Sequence, residues 1–183
     1  MFDDFTRFKA EIGICGYFRP MIREEFLQLP SDQKVLFKQR FIAHCLNVLN
    51  ERVLLLQDAV RDAQDSANNE DKSSAGDKHE TARALSQNAR DLNASILAEA
   101  LKERDILLSL NSAEIASFVK TGALVITSTF NAFVCINLGK IDFENIAIMC
   151  ISPSAPIAQK MLKQKKGEKF NFNNRESQLL DVF

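Results

Sequence analysis

The chain has 183 residues, 46 % of them apolar, and its 23 basic and 24 acidic groups leave a formal net charge of −1. That length suits one ordinary domain or two small ones, and the balanced charge argues against a generic polyanion binder. No apolar run approaches the length of a membrane-spanning helix, so no membrane partner is expected.

The opening Met1-Phe2-Asp3-Asp4 is acidic and lacks the apolar stretch of a signal peptide. Four cysteines (Cys15, Cys45, Cys135 and Cys150) are scattered without a CxxC pair. They read as free thiols in a reducing, cytoplasmic setting. Trp is absent and there is one Tyr, so no platform for stacking bases is evident.

Residues 1–30 are Phe-rich without a clean period and read as an N-terminal extension. Leu29-Pro30-Ser31-Asp32 then looks like a helix start, with Ser31 as the N-cap candidate. From there to about residue 112 the pattern predicts a long antiparallel coiled-coil hairpin with an acidic tip near residues 65–80. The ascending seam is Ile42, Leu46, Leu49, Val53, Leu56, Val60, Ala63 and Ala67, spaced alternately by 4 and 3. The descending seam is expected at Ala82, Leu85, Ala89, Leu92 and Ile96. Ala100, Leu107 and Leu110 fit that row only if a four-residue stutter shifts the register.

Past Asn111-Ser112-Ala113 the pattern allows a short helical piece, Ala113 to Lys120. From Gly122 the period becomes that of strands. Ala123–Ser128 and Ala132–Leu138 read as strands around a Thr129-Phe130-Asn131 turn, and Ile146–Ile151 as another. Ser152-Pro153 opens a short helix, Ala155–Lys163, followed by a Lys165-Lys166-Gly167 turn. Lys169–Phe172 and Ser177–Val182 close the chain. The fold class is therefore α+β: a helical hairpin, then a small antiparallel β domain over 113–183 with one helix packed on it.

The tip carries the densest chemistry. Asp77 and Glu80 stand three apart at the start of the descending helix, so both carboxylates face one side of its first turn. One reading is ordinary capping, because a helix N-terminus favours negative charge. The other is a divalent-metal handle. Mg²⁺ is usually held by one or two carboxylates plus water and phosphate oxygens, so such a tip acts only with ligands supplied by a partner. His79 lies between the acids, as a solvated side chain or as a base. Lys72, Lys78 and Arg83 flank them. Gly76 suits a positive φ in the turn.

Two stretches together resemble the Gre family of bacterial transcript-cleavage factors. At the tip, Gly76-Asp77-Lys78-His79-Glu80-Thr81-Ala82 resembles the family's Gly-Asp-Leu-x-Glu-Asn-Ala. Further on, Ser152-Pro153-Ser154-Ala155-Pro156-Ile157-Ala158, then Lys165-Lys166-Gly167-Glu168, resembles its Ser-Pro-Leu-Gly-x-Ala and Gly-Asp pattern. The stretch from Ala63 to Thr81 is most similar to a variant Gre-like group of Bacteroidetes type. The resemblance covers roughly residues 34–183 and implies an FKBP-like C-terminal domain.

It also implies an accessory factor rather than an enzyme in its own right. The hairpin would enter the secondary channel of RNA polymerase. Asp77 and Glu80 would share a Mg²⁺ ion with the polymerase, and cleavage at the nascent RNA 3′ end of a backtracked complex would follow. Lys78, His79, Pro153, Lys163, Lys165 and Lys166 become candidate partner contacts. The family's Leu and Asn at the tip are Lys78 and Thr81 here, which leaves open a channel-binding regulator without cleavage, or a plain coiled-coil interaction module. An intramolecular hairpin predicts a monomer. Prolyl isomerase activity would need an aromatic-lined pocket, and Phe118, Phe130, Phe133, Phe143, Phe170, Phe172 and Phe183 are expected to be core instead.

Overall fold

The computed structural model describes residues 27–70 and 77–183, without the side chains of residues 67, 69, 70, 77–80, 82 and 83. The expected extension over residues 1–30 therefore lies almost wholly outside the described residues. Two long helices, α1 (Ser31–Glu70) and α2 (Asp77–Ser109), form the hairpin. Then come β1 (Ala123–Thr127), β2 (Asn131–Val134), β3 (Gly139–Phe143), β4 (Ile146–Ile151), α3 (Pro156–Met161), β5 (Lys169–Phe172) and β6 (Arg175–Val182). The chain is mixed α+β, as the pattern predicts.

The first helical bond of α1 runs from the Lys34 amide to the Pro30 carbonyl, 3.0 Å. Ser31 is thus inside the helix rather than its cap. Along α1, Ile42, Leu49 and Val53 are buried, and Leu46, Leu56, Val60 and Ala63 half-buried, as the 4-3 spacing requires.

The descending seam is different. Leu85 and Leu92 are 65 % and 62 % exposed, and Ala89 is exposed too. The row that turns inward is Ser86, Arg90, Asn93, Leu97, Ala100, Arg104 and Leu107, one residue further along. Its 4-3 spacing is unbroken, so no stutter exists. Ala100 and Leu107, buried at the root of the hairpin, set which face of α2 looks at α1. The helical period carries that choice as far as Ser86, even though the more apolar row lies beside it.

The six strands form one sheet in the order β3-β4-β2-β1-β6-β5. It is mixed rather than antiparallel. After β2 the chain crosses to the edge, runs back as β3, and inserts β4 between them, so β2 and β4 pair in parallel with Phe133 opposite Cys150. The edge strand β3 is an addition to the expected set. A two-residue turn at Glu144 and Asn145, both at positive φ (49° and 64°), joins it to β4. This is the tight turn whose twist matches flanking strands. Asn173 and Asn174 (φ 51° and 60°) do the same between β5 and β6.

Two further elements are shorter than expected. β2 ends at Val134, and α3 starts at Pro156, which takes the first-turn position expected of Pro153. The helical piece over 113–120 does not form. Its backbone bonds elsewhere: the Val119 amide donates to the Gln164 carbonyl and the Lys163 amide to the Val119 carbonyl, both at 2.8 Å.

Each face of the sheet is covered. Ala123, Val125, Ala132, Val134 and Leu179 pack under α3, with Ala158 and Met161. Leu124, Ile126, Phe133, Ile148 and Cys150 face the hairpin root, where Phe37, Phe41, Ile42, Cys45 and Leu107 complete one continuous core. Phe37 and Phe41 each meet Phe143 edge-on, with ring centroids 5.5 Å apart. Lys34 of α1 reaches Asp181 of β6, Nζ to Oδ2 2.5 Å, and the buried Lys38 donates to the Glu114 carbonyl at 2.9 Å. The hairpin is rooted in the sheet by both apolar and ionic contacts.

Candidate functional site

The hairpin tip is built by α1 ending at Glu70 and α2 beginning at Asp77. Backbone helicity from Asp77 puts Lys78, His79 and Glu80 in the first turn. Asp77 and Glu80 stand three apart in that turn. Their side chains, with those of Lys72, Lys78, His79 and Arg83, lie outside the described residues. Among the described residues no group of three or more His, Cys, Asp or Glu converges on a metal-sized site. Two carboxylates are too few to hold a hard cation such as Mg²⁺ without water or other ligands.

The arm behind the tip is sparsely packed. Beyond Val53 it runs about 25 Å to Glu70, at about 1.5 Å per residue. There Arg90 Nη1 of α2 donates to Gln64 Oε1 of α1 at 3.0 Å, and Gln64 Nε2 donates along the exposed face of α1 to Asn68 Oδ1 at 2.9 Å. Arg52 of α1 lies 3.7 Å from Glu103 of α2 at the level where the arm leaves the sheet. Burial raises the Glu103 carboxyl above its ordinary range, against the opposing pull of Arg52.

The other candidate contacts cluster around α3. Lys163 stands just past its end at φ 68°, exposed. Lys165 is exposed, and Lys166 Nζ lies 3.3 Å from Asp181 Oδ1. The half-buried Pro153 receives a hydrogen bond on its carbonyl from Gln159 Nε2, 2.6 Å. Because Asp181 also holds Lys34, this basic turn sits at the root of α1, roughly 50 Å of helix from the tip. The tip residues and the basic turn are thus separate surfaces.

One surface was not singled out by the sequence. The expectation that the seven Phe residues are all core holds for Phe133, Phe170 and Phe183 but not for the exposed Phe118 or the half-buried Phe130, Phe143 and Phe172. Phe130, Phe170 and Phe172 line a cleft of about 500 Å³ between α3 and the β5–β6 hairpin, with Ile157, Thr129, Asn173, Arg175 and Ser177. The signal was available in Lys169-Phe170-Asn171-Phe172, where alternate Phe residues must share one face of a strand.

Neither a family model nor a curated protein nor a solved structure matches the chain. No described helix is long and apolar enough to cross a membrane.

Proposed function

We propose that this chain is a Gre-like transcription elongation factor. In this reading the hairpin enters the secondary channel of a bacterial RNA polymerase and stimulates cleavage of backtracked RNA. The observation that carries it is the opening of α2 at Asp77, with Glu80 in the same turn, at the far end of a hairpin rooted in the sheet by Phe37, Phe41 and Lys34. Such an arm carries two carboxylates far from the body that holds them.

The division of labour follows from the count of ligands. Asp77 and Glu80 offer carboxylate oxygens but too few to hold a hard cation alone, so the polymerase supplies the rest of the shell. Asp77 and Glu80 would hold a Mg²⁺ ion shared with the polymerase, which when bound would supply Lewis-acid activation of phosphate and water. The role of Asp77 and Glu80 would be to orient the attacking water from the side of the incoming arm. The chain is an accessory factor in the cytoplasm, acting as a monomer, and its sheet with α3 would be the FKBP-like domain docked at the channel rim through Pro153, Lys163, Lys165 and Lys166. Lys78 and Thr81, where the Gre pattern has Leu and Asn, favour a second reading: the same docking used to alter pausing or initiation without cleavage.

The deciding measurement is RNA cleavage in a backtracked elongation complex with Mg²⁺ present, comparing wild type with Asp77→Ala/Glu80→Ala. Shortened 3′ ends with wild type alone support the cleavage factor. Binding without cleavage from either protein supports the regulator. Absence of polymerase binding removes both.

A further inference from the structure

The cleft beneath α3 has a chemistry of its own, separate from the tip. Its wall is aromatic: Phe130 meets Phe170 edge-on, ring centroids 6.3 Å apart and planes at 83°, and Ile157 of α3 closes one side. Phe170 and Phe172 alternate along β5, and Arg175 stands directly opposite Phe172 where the hairpin closes. Directly opposed residues of an antiparallel pair project to the same face. Arg175 and Ser177 therefore stand over the same surface as the two Phe rings.

The hydroxyls of the cleft are already engaged. Ser177 Oγ and Thr129 Oγ1 are hydrogen-bonded to each other, and Thr127 Oγ1 ties the same turn by donating to the Phe130 carbonyl at 2.7 Å. The charge is not engaged. Glu176, the acid next to Arg175, projects to the opposite face and pairs with Lys169 at 2.7 Å. Arg175 has no ion-pair partner among the described residues, and no carboxylate lines the cleft.

We propose that this cleft binds a small apolar monocarboxylate, an aromatic or branched-chain acid of about ten to fifteen heavy atoms. The volume lies within the usual range for small-ligand sites. A planar guanidinium beside an aromatic wall selects a carboxylate, which it can meet with two parallel hydrogen bonds. A cation is repelled by Arg175. A multiply charged phosphate ester would strand charge against the Phe rings.

The test uses the full chain with 3-phenylpropanoate and its neutral counterpart 3-phenylpropanamide, followed by amide chemical shifts. The acid is expected to shift the resonances of Phe170, Phe172 and Ser177 saturably, and to bind about tenfold more tightly than the amide. Arg175→Gln, at an exposed hairpin end, should reduce the acid to the affinity of the amide and leave the amide unchanged. Phe172→Ala should weaken both. Equal binding of acid and amide by wild type, saturable shifts confined to another surface, or no saturable shift up to roughly 20 mM, far weaker than typical small-ligand affinities, would overturn the proposal.

Discussion

Phe41 of α1 and Phe133 of β2 meet edge-to-face, with ring centroids 5.5 Å apart and planes at 87°. Both are fully buried, and the pair sits where the hairpin root joins the sheet. Phe41→Ala should therefore cost about 3–5 kcal/mol. Urea denaturation followed by helix and by sheet signals checks this, with both signals losing the same stability because the core is shared. A loss confined to the helical signal would show that the root is not part of one cooperative unit.

The one-residue offset of α2 gives a sharper test. Leu92→Ala removes a side chain that is 62 % exposed and should change stability by no more than about 0.5 kcal/mol. Leu107→Ala, 1 % exposed, should cost about 2–5 kcal/mol. If thermal melts instead ranked Leu92 with Leu107, the more apolar row would be the true seam.

That contrast also shows what the residues disclose in advance. In α1 the apolar row and the contact face coincide, so Ile42, Leu49 and Val53 were legible. In α2 they differ by one position, because the root chooses the face and the root is a tertiary contact. The strand β3 escaped notice because only Ile141 of its five residues is buried, leaving little alternation to read. The parallel pairing of β2 with β4 depends on the path of the chain between them, which periodicity does not encode. Asp77 at the opening of α2 was legible because Gly76 and the acids are local signals. The cleft was not, since its walls come from the β1–β2 turn, α3 and the β5–β6 hairpin together.

Lys38 supplies a pH dependence. Burial lowers its pKa below the ordinary lysine value, only partly offset by Glu114. The unfolded chain therefore binds more protons between the lowered pKa and about 10.5, and stability from this site rises as pH rises through that window. Denaturation of wild type and Lys38→Met from neutral pH to about pH 10 should show the difference moving in favour of wild type. A difference that is flat, or moves the other way, would contradict the assignment.

Asp181 joins three elements, with Lys34 Nζ at 2.5 Å and Lys166 Nζ at 3.3 Å. Asp181→Ala leaves the mostly buried Lys34 ammonium without its anion and should cost about 3 kcal/mol. The double variant Asp181→Ala/Lys34→Met should recover part of that loss in the same melt.

The sulfur atoms of Cys45 and Cys150 lie 4.0 Å apart in the core. Their mutual hydrogen bond, then burial, pushes the Cys150 thiol up, and burial pushes Cys135 up to about 12. Iodoacetamide at mildly alkaline pH should leave Cys45, Cys135 and Cys150 unmodified in the native protein and label all three after denaturation, as read by mass spectrometry. Rapid native labelling at any of them would show that the root opens readily.

The unbroken run of α1 from Lys34 to Glu70 makes the hairpin a pointer whose aim is set at its hilt. Over a free length of about 25 Å, a tilt of roughly 5° carries the tip sideways by about 2 Å. Chemistry that depends on placement is lost over about 1 Å. Under the proposed function, small changes in the aromatic nest around Phe37, Phe41 and Phe143 would thus show up as missed targeting far away, with the tip residues themselves untouched.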